Sequence, residues 1–307
     1  TDQGFNVNAF WEHRNLFNRA ENLRIGGELA LDLQEATADF RKPYFLRRDQ
    51  SLLLNAAVTR QRDEAFDELS SSVFGGIERS FGEHWKSSAG ASLELIRITE
   101  DGERRHYGLV GFPVSFGFAN RDDPLDPTES FTLTATTTPY FGVSGDAEKF
   151  WVNEIKGSNY LSLDEDGDFV LAARARLGSI VGSDRQELPA SKRFYAGGGG
   201  SVRGYEFRTV GPLDGNNDPI GGRSVVEAGL ELRLRVSEDI GLVPFVSGGQ
   251  VTTDPYPDIG GKMLWAAGLG VRYYTDFGPL RFDIAFPVNG RPSDDRFQFY
   301  VSIGQAF

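Results

Sequence analysis

Residues 225–236 read Val-Val-Glu-Ala-Gly-Leu-Glu-Leu-Arg-Leu-Arg-Val. Val226, Ala228, Leu230, Leu232, Leu234 and Val236 fall on one side of an extended chain, and Glu227, Gly229, Glu231, Arg233 and Arg235 on the other. A period of two predicts a strand with one apolar and one polar face, because successive side chains point to opposite faces. The same beat recurs at 264–275, where Trp265, Ala267, Leu269, Val271 and Tyr273 alternate with Ala266, Gly268, Gly270 and Arg272. At 280–288, Leu280, Phe282, Ile284, Phe286 and Val288 alternate with Arg281, Asp283 and Ala285. In the last segment Phe297, Phe299, Val301, Ile303 and Phe307 share one face, and Gln298, Tyr300, Ser302, Gly304 and Ala306 the other. Further runs lie near 4–12, 21–34, 36–45, 50–62, 69–82, 85–99, 107–118, 130–142, 150–163, 168–182 and 241–252, which makes 15 predicted strands. Many have about ten residues, the length of a tilted strand crossing a bilayer.

The 307-residue composition narrows the classes that could hold such a pattern. Aromatic residues and glycine are abundant (24 Phe, 10 Tyr, 4 Trp, 37 Gly), and helix formers rarely cluster with a 3.6 period. No run of about 18 apolar residues offers a transmembrane helix. The absence of cysteine excludes a disulfide framework, a thiolate zinc site and a cysteine nucleophile. A net charge of −12 argues against a nucleic-acid partner, which needs a basic face. A soluble β-sandwich would also alternate. Here, however, nearly every strand sets Arg, Glu or Asp opposite its apolar face, and no helix is available to cover so many apolar faces. A closed antiparallel barrel with lipid outside and a wet lumen explains both faces together.

Bacterial single-chain barrels normally have an even number of strands, whereas the reading above is odd. The first readable strand, Phe5 to Trp11, begins close to residue 1, so one strand is expected to be either miscounted or missing upstream of Thr1. The opening Thr1-Asp2-Gln3 carries no secretory signal and suits a mature, shortened or engineered start. The polar links are predicted at 99–106, 182–222, 252–262 and 288–296.

Other stretches yield no chemistry. The Gly-rich run 197–200 lacks the Lys-Ser/Thr pair and following helix of a phosphate loop. Asp164-Glu165-Asp166-Gly167-Asp168 places its glycine one position early for an EF-hand and reads as a hairpin turn. His13, His84 and His106 are dispersed, and no serine sits in a Gly-x-Ser-x-Gly elbow. No enzyme activity, metal or cofactor is therefore expected. Trp11, Trp85, Trp151 and Trp265 fit strand ends or lipid faces, where amphipathic rings favour the interface.

The longest link opens with Arg193-Phe194-Tyr195-Ala196-Gly197-Gly198-Gly199-Gly200-Ser201-Val202-Arg203-Gly204-Tyr205, followed by Thr209-Val210-Gly211-Pro212. This stretch resembles the sixth extracellular loop of the Omp85 superfamily of outer-membrane assembly barrels, whose Val/Ile-Arg-Gly-Phe/Tyr is matched by Val202, Arg203, Gly204 and Tyr205. The likeness continues through Leu230-Glu231, Phe245-Val246, Gly268 to Arg272, Gly278-Pro279-Leu280, Phe286-Pro287 and Gln298-Phe299-Tyr300. In detail it looks most like the barrel subunits of the translocation and assembly module (TamA type). The first 180 residues match by strand pattern alone.

The resemblance implies a 16-stranded transmembrane barrel over 1–307, with loop 6 folded into the lumen and its arginine held by acidic and aromatic wall residues. Glu231 and Phe245 face the lumen by alternation and are the expected partners of Arg203; a guanidinium among barrel walls needs a carboxylate and can stack on a ring. The family's usual Asp two residues after that Phe is Ser247 here, which removes one expected acid. Phe299, Val301, Ile303 and Phe307 resemble the terminal recognition signal of outer-membrane barrels. With Gly304, which would pair poorly, they form one wall of an expected seam between first and last strands. The implied setting is the Gram-negative outer membrane, with loop 6 outside and short turns such as 82–84, 237–240 and 276–278 in the periplasm. The implied function is insertion of client β-barrels and autotransporters into the lipid bilayer through that seam, with upstream POTRA domains and a TamB-like periplasmic partner. The alternatives are a BamA-like assembly barrel, a two-partner secretion transporter, a passive pore and a soluble β-protein.

Overall fold

A computed structural model describes residues 6–62, 65–100, 102–121, 126–275 and 278–304. They form a single antiparallel sheet of sixteen strand segments. These are β1 (Asn6–Arg14), β2 (Asn22–Ala30), β3 (Leu33–Lys42), β4 (Gln50–Arg62), β5 (Asp67–Phe81), β6 (Trp85–Glu100), β7 (Glu103–Gly111) and β8 (Val114–Arg121). There follow β9 (Ser130–Gly145), β10 (Phe150–Ser162), β11 (Phe169–Val181), β12 (Ser224–Arg235), β13 (Ile240–Thr252), β14 (Leu264–Tyr273), β15 (Leu280–Pro287) and β16 (Gln298–Ile303).

Neighbours in sequence are neighbours in the sheet, with one exception. β7 and β8 both lie between β6 and β9. Their registers against β6, Ser92 with Gly111 and Ala89 with Val114, continue one another without a shift. Pro113 has no N–H to give, so the ladder skips there; the Phe112 N–H still reaches the Pro139 carbonyl at 3.0 Å, and the Gly90 N–H the Pro113 carbonyl at 3.1 Å. The sixteen segments thus fill fifteen places, and the sequence run 107–118 is one place interrupted by a proline.

The register makes the two faces continuous around the sheet. Leu230, Val246, Ala267 and Phe286 lie opposite one another on successive strands, while Glu231, Phe245, Gly268 and Ala285 do the same on the other face. The first face is the exposed one: Leu269, Phe282, Ile284, Phe299 and Ile303 are all open. The second carries the buried charges Glu231, Arg272 and Asp283. A chain that exposes its large apolar side chains and buries its charges is built for hydrocarbon outside and a polar interior. All four tryptophans lie on the outward face by pairing, as Trp11 with Ile25 and Trp85 with Phe118.

Three details depart from expectation. The stretch 99–106 is not a long link: β6 runs to Glu100 and β7 starts at Glu103, with Gly102 at φ 78° in the turn between them. Its charges alternate as strand residues do. Second, long loops and short turns segregate to opposite ends only in the C-terminal half. In the N-terminal half the links on the loop-6 side, at 31–32 and 146–149, are short, while at the other end 82–84 is a short turn as expected but 15–21, 43–49 and 122–129 are longer. Third, ionic groups do not all point inward, since Arg60, Arg62, Arg97 and Arg104 take outward positions. The 164–168 segment is a hairpin turn, in which the Asp164 carboxylate accepts from the Asp168 and Phe169 amides. Phe307 lies outside the described residues.

Ala56 faces outward and Ala57 inward in the middle of β4. Ala56→Lys is expected to cost about 2–4 kcal/mol of stability in lipid vesicles, and Ala57→Lys within about 0.5 kcal/mol of none. Denaturant titration of both variants checks the facing; equal losses would mean that it is reversed.

Candidate functional site

The link between β11 and β12 turns back into the barrel and supplies its core. Leu188, Ala190, Phe194, Ala196, Val202, Tyr205 and Val210 are buried against wall residues Ile96, Leu109, Phe150, Ile180, Val225 and Val251. Ion pairs pin the same loop: Arg193 grips Glu100 of β6 with both terminal nitrogens, and Lys192 pairs with Glu94, six residues earlier on that strand.

Arg203 sits at the bottom of this loop with its side chain 1% exposed. Its guanidinium pairs with Glu231 of β12 at 2.5 Å and with Asp283 of β15 at 2.8 Å, both carboxylates fully buried. Its face lies 3.4 Å from the ring centroid of Phe245 on β13. The Ser247 hydroxyl donates to the Arg203 carbonyl at 3.3 Å. The structure therefore gathers Arg203, Glu231, Phe245 and Ser247 in one place. A Cβ at Gly268 would run into the Phe245 ring, so a bare backbone behind the ring lets it lie flat under the cation.

Sequence reading missed the second acid. Asp283 was read as a polar-face residue of its strand, and that facing was the available signal. It accepts from three arginines: Arg203, Arg272 at 2.6 Å and Arg281 at 2.7 Å. The acid absent at position 247 is thus supplied from two strands away. Arg233, 3.5 Å from Glu231, adds a fourth guanidinium. Four cations meet two carboxylates, and the surplus is turned toward other electron-rich groups. Arg281 donates to the Gly199 carbonyl at 3.1 Å, Arg174 to the Gly200 carbonyl at 2.6 Å, and Arg233 to the Pro127 carbonyl at 3.2 Å with the Tyr160 ring 4.9 Å away. The Gly-rich run is therefore a backbone acceptor for arginines of the wall, not a cradle for phosphate.

The other motif residues are held equally closely. Gly204 has φ 106°, and a Cβ there would come 2.5 Å from the Ala266 side chain; only glycine fits both constraints. Its N–H donates to the Tyr300 hydroxyl at 3.0 Å, and that hydroxyl donates to the Tyr205 carbonyl at 3.1 Å. Tyr205 donates to the Trp265 carbonyl at 3.1 Å, and burial pushes its phenol up to about 12, with Asp294 adding to the effect. Tyr300 belongs to β16, so the last strand grips the loop motif directly. Phe299, Val301 and Ile303 face outward on the same strand and are exposed. Gly304 closes β16 at φ 88°, its N–H bonded to the Pro279 carbonyl at 2.7 Å. Among the described residues no cluster of acids and histidines is arranged to hold a metal.

A family model described as the Omp85 superfamily domain matches residues 15–307, and the chain belongs to that superfamily. It is 28% identical over 99% of its length to the outer membrane protein assembly factor BamA of Nitratidesulfovibrio vulgaris, and spans 40% of that protein. It is 27% identical over 45% of its length to BamA of Neisseria meningitidis serogroup B, spanning 22% of it. Among solved structures, BamA from Haemophilus ducreyi lacking POTRA domains 1–3 superposes with TM-score 0.84 at 19% identity, covering 97% of this chain and 67% of that one. CdiB from Acinetobacter baumannii superposes with TM-score 0.63 at 16% identity, covering 98% and 56%.

Arg203→Ala takes from buried Glu231 its partner at 2.5 Å and leaves it Arg233 at 3.5 Å, and is expected to cost about 3–5 kcal/mol. It should expose loop 6 to protease. Arg203→Lys should recover only part, because an ammonium lacks the planar fork that reaches both acids. Adding Glu231→Gln to Arg203→Ala should recover part of the loss. A loop as protected in Arg203→Ala as in the parent chain would remove the pair from its holding role.

Proposed function

We propose that this superfamily member is the membrane barrel of an outer-membrane assembly factor, in which β1 and β16 form a seam that templates strands of client β-barrels and autotransporters. One observation carries the reading. Among the described residues the ladder runs from β1 to β16 without a pair joining its two ends. Each end strand then offers unpaired N–H and C=O groups, and such an edge recruits another strand by β-augmentation. Among the described residues β16 is the shortest segment, at six residues, and its inner side borders a cavity of about 680 Å³ shared with loop 6. No nucleotide is needed: the client gains its own apolar burial and backbone pairing as it leaves.

The outer membrane of a Gram-negative cell is the setting, with loop 6 on the outer side and the opposite end toward the periplasm. In this reading Arg203, Glu231, Phe245 and Asp283 hold the lumen shape while the seam moves, and Tyr300 couples β16 to the loop. We extend the proposal to POTRA domains in the periplasmic part of the longer protein and to a TamB-like partner there. A TamA-type and a BamA-type role share this barrel mechanism and differ in those periplasmic parts.

The chain has no cysteine, so single engineered cysteines can carry a crosslinker without background. Probes at Asn8 on β1 and Ser302 on β16 should capture a folding client strand, and a probe at Val246 on β13 should not. Amides of β16 should exchange faster than those of β12 and β13. Equal capture at all three positions, with uniform exchange, would dismiss the seam and favour a passive pore.

A further inference from the structure

The outward arginines form the one feature that a barrel mechanism does not use. By pairing, Leu29, Gln34, Arg60, Leu69, Arg97 and His106 make one row across β2 to β7. The row nearest loop 6 continues with Arg62, Asp67, Thr99 and Arg104. All four arginines are exposed. Among the described residues no ion pair or side-chain hydrogen bond ties any of them to another residue, and the single carboxylate in the two rows is Asp67. Among the described residues of β9 to β16, no outward position holds Lys or Arg. The basic patch is therefore confined to one flank, at the loop-6 end.

Directly below it lies a shallow apolar groove of about 460 Å³. Its successive rows are Gly27, Ala36, Val58, Ser71, Leu95 and then Ile25, Ala38, Ala56, Val73, Leu93. Small side chains on β3 and β4 are bordered by larger ones on β2 and β6. Cations on a hydrocarbon-facing wall are costly unless anions meet them at the interface. Arg60 and Arg62 share β4, while Arg97 and Arg104 stand on β6 and β7, so the pairs are two to three strands apart, or about 10–14 Å at the usual strand spacing. Guanidinium forks suit phosphate.

The geometry points to a binding site for a bis-phosphorylated, multiply acylated glycolipid of the outer leaflet: one phosphate on Arg60 and Arg62, one on Arg97 and Arg104, and acyl chains in the groove beneath. The site goes beyond the assembly role and rests on the orientation given above. If the loop-6 end faced the periplasm, the same arginines would meet phospholipid instead.

Native mass spectrometry of the full chain released from detergent, with lipid A, monophosphorylated lipid A and phosphatidylglycerol as probes, tests it. Lipid A should be retained best, and Arg60→Ala with Arg97→Ala should weaken retention about tenfold or more, the scale of one lost charge-assisted contact. Arg47→Ala with Arg48→Ala, at the other end, should leave it unchanged. Should the arginine variant fail to fold, Ala38→Phe, which fills the groove without touching a charge, should lower retention in the same assay. Equal retention of phosphatidylglycerol and lipid A, or no loss in either variant, would overturn the site. None of these outcomes depends on client capture at the seam.

Discussion

A guanidinium without water must be surrounded by groups that replace it, and this requirement organises the C-terminal half of the barrel. Arg203 reaches Glu231 on β12, stacks on Phe245 from β13, and shares Asp283 on β15 with Arg272 from β14. Tyr300 on β16 closes the set by holding the residue next to it. Five consecutive strands must therefore be in register for one side chain to be satisfied. A one-residue slip in any of them would turn its contributor outward into lipid. The loop and the wall are a single unit in this sense, because neither arrangement is tolerable without the other.

The same comparison separates the two halves of the sheet. The buried apolar residues that touch loop 6 come mainly from β6 onward. The inner faces of β2 to β5 are lined instead with partly exposed polar groups, joined by contacts such as Asn55 with Asp39 at 2.7 Å and Arg41 with Glu78 at 2.5 Å. Exposed pairs of this kind contribute little. One end of the ladder is thus braced through Tyr300 and the other is not. Strands with fewer buried contacts open at lower free energy, so the N-terminal wall is the side that can move while β16 keeps its attachment. The seam proposed above would on this footing be asymmetric, a held edge facing a yielding one.

Period-two alternation was enough to read the strands, because in a membrane barrel both faces of each strand have strict and opposite solvents. It placed Glu231, Phe245 and Trp265 on their proper sides, and it handled 107–118 as one strand because Pro113 interrupts pairing without shifting the beat. The links were less legible. At 99–106 the density of charge looked like a loop, although Arg104 and His106 keep the outward parity and Arg105 the inward one. The partners of Arg203 were legible only as far as parity goes. Which of several inward acids meets it depends on how far the loop descends, a distance set by packing of Val202 and Tyr205 that no local pattern records. The glycine run shows the same limit: its role lies in carbonyls that arginines from distant strands approach, and composition says nothing of where those arginines are.

Arginine does two opposite things in this chain, and the face it occupies decides which. Inside, Arg203, Arg272, Arg281 and Arg233 outnumber their carboxylates, and the structure compensates with backbone carbonyls and aromatic faces that cannot leave. Fixed partners in a space closed to water give a rigid plug. Outside, Arg60, Arg62, Arg97 and Arg104 stand in an arc with one carboxylate among them. Among the described residues Asp67, opposite Arg62, is the single carboxylate in these rows, and the acidic total of the chain does not help, since charges beyond about 10 Å are screened at ordinary ionic strength. The neutralising groups must therefore arrive from the surroundings and be free to exchange. On the proposed reading those surroundings are lipid headgroups, which meet the outward arginines as the buried carboxylates meet the inward ones.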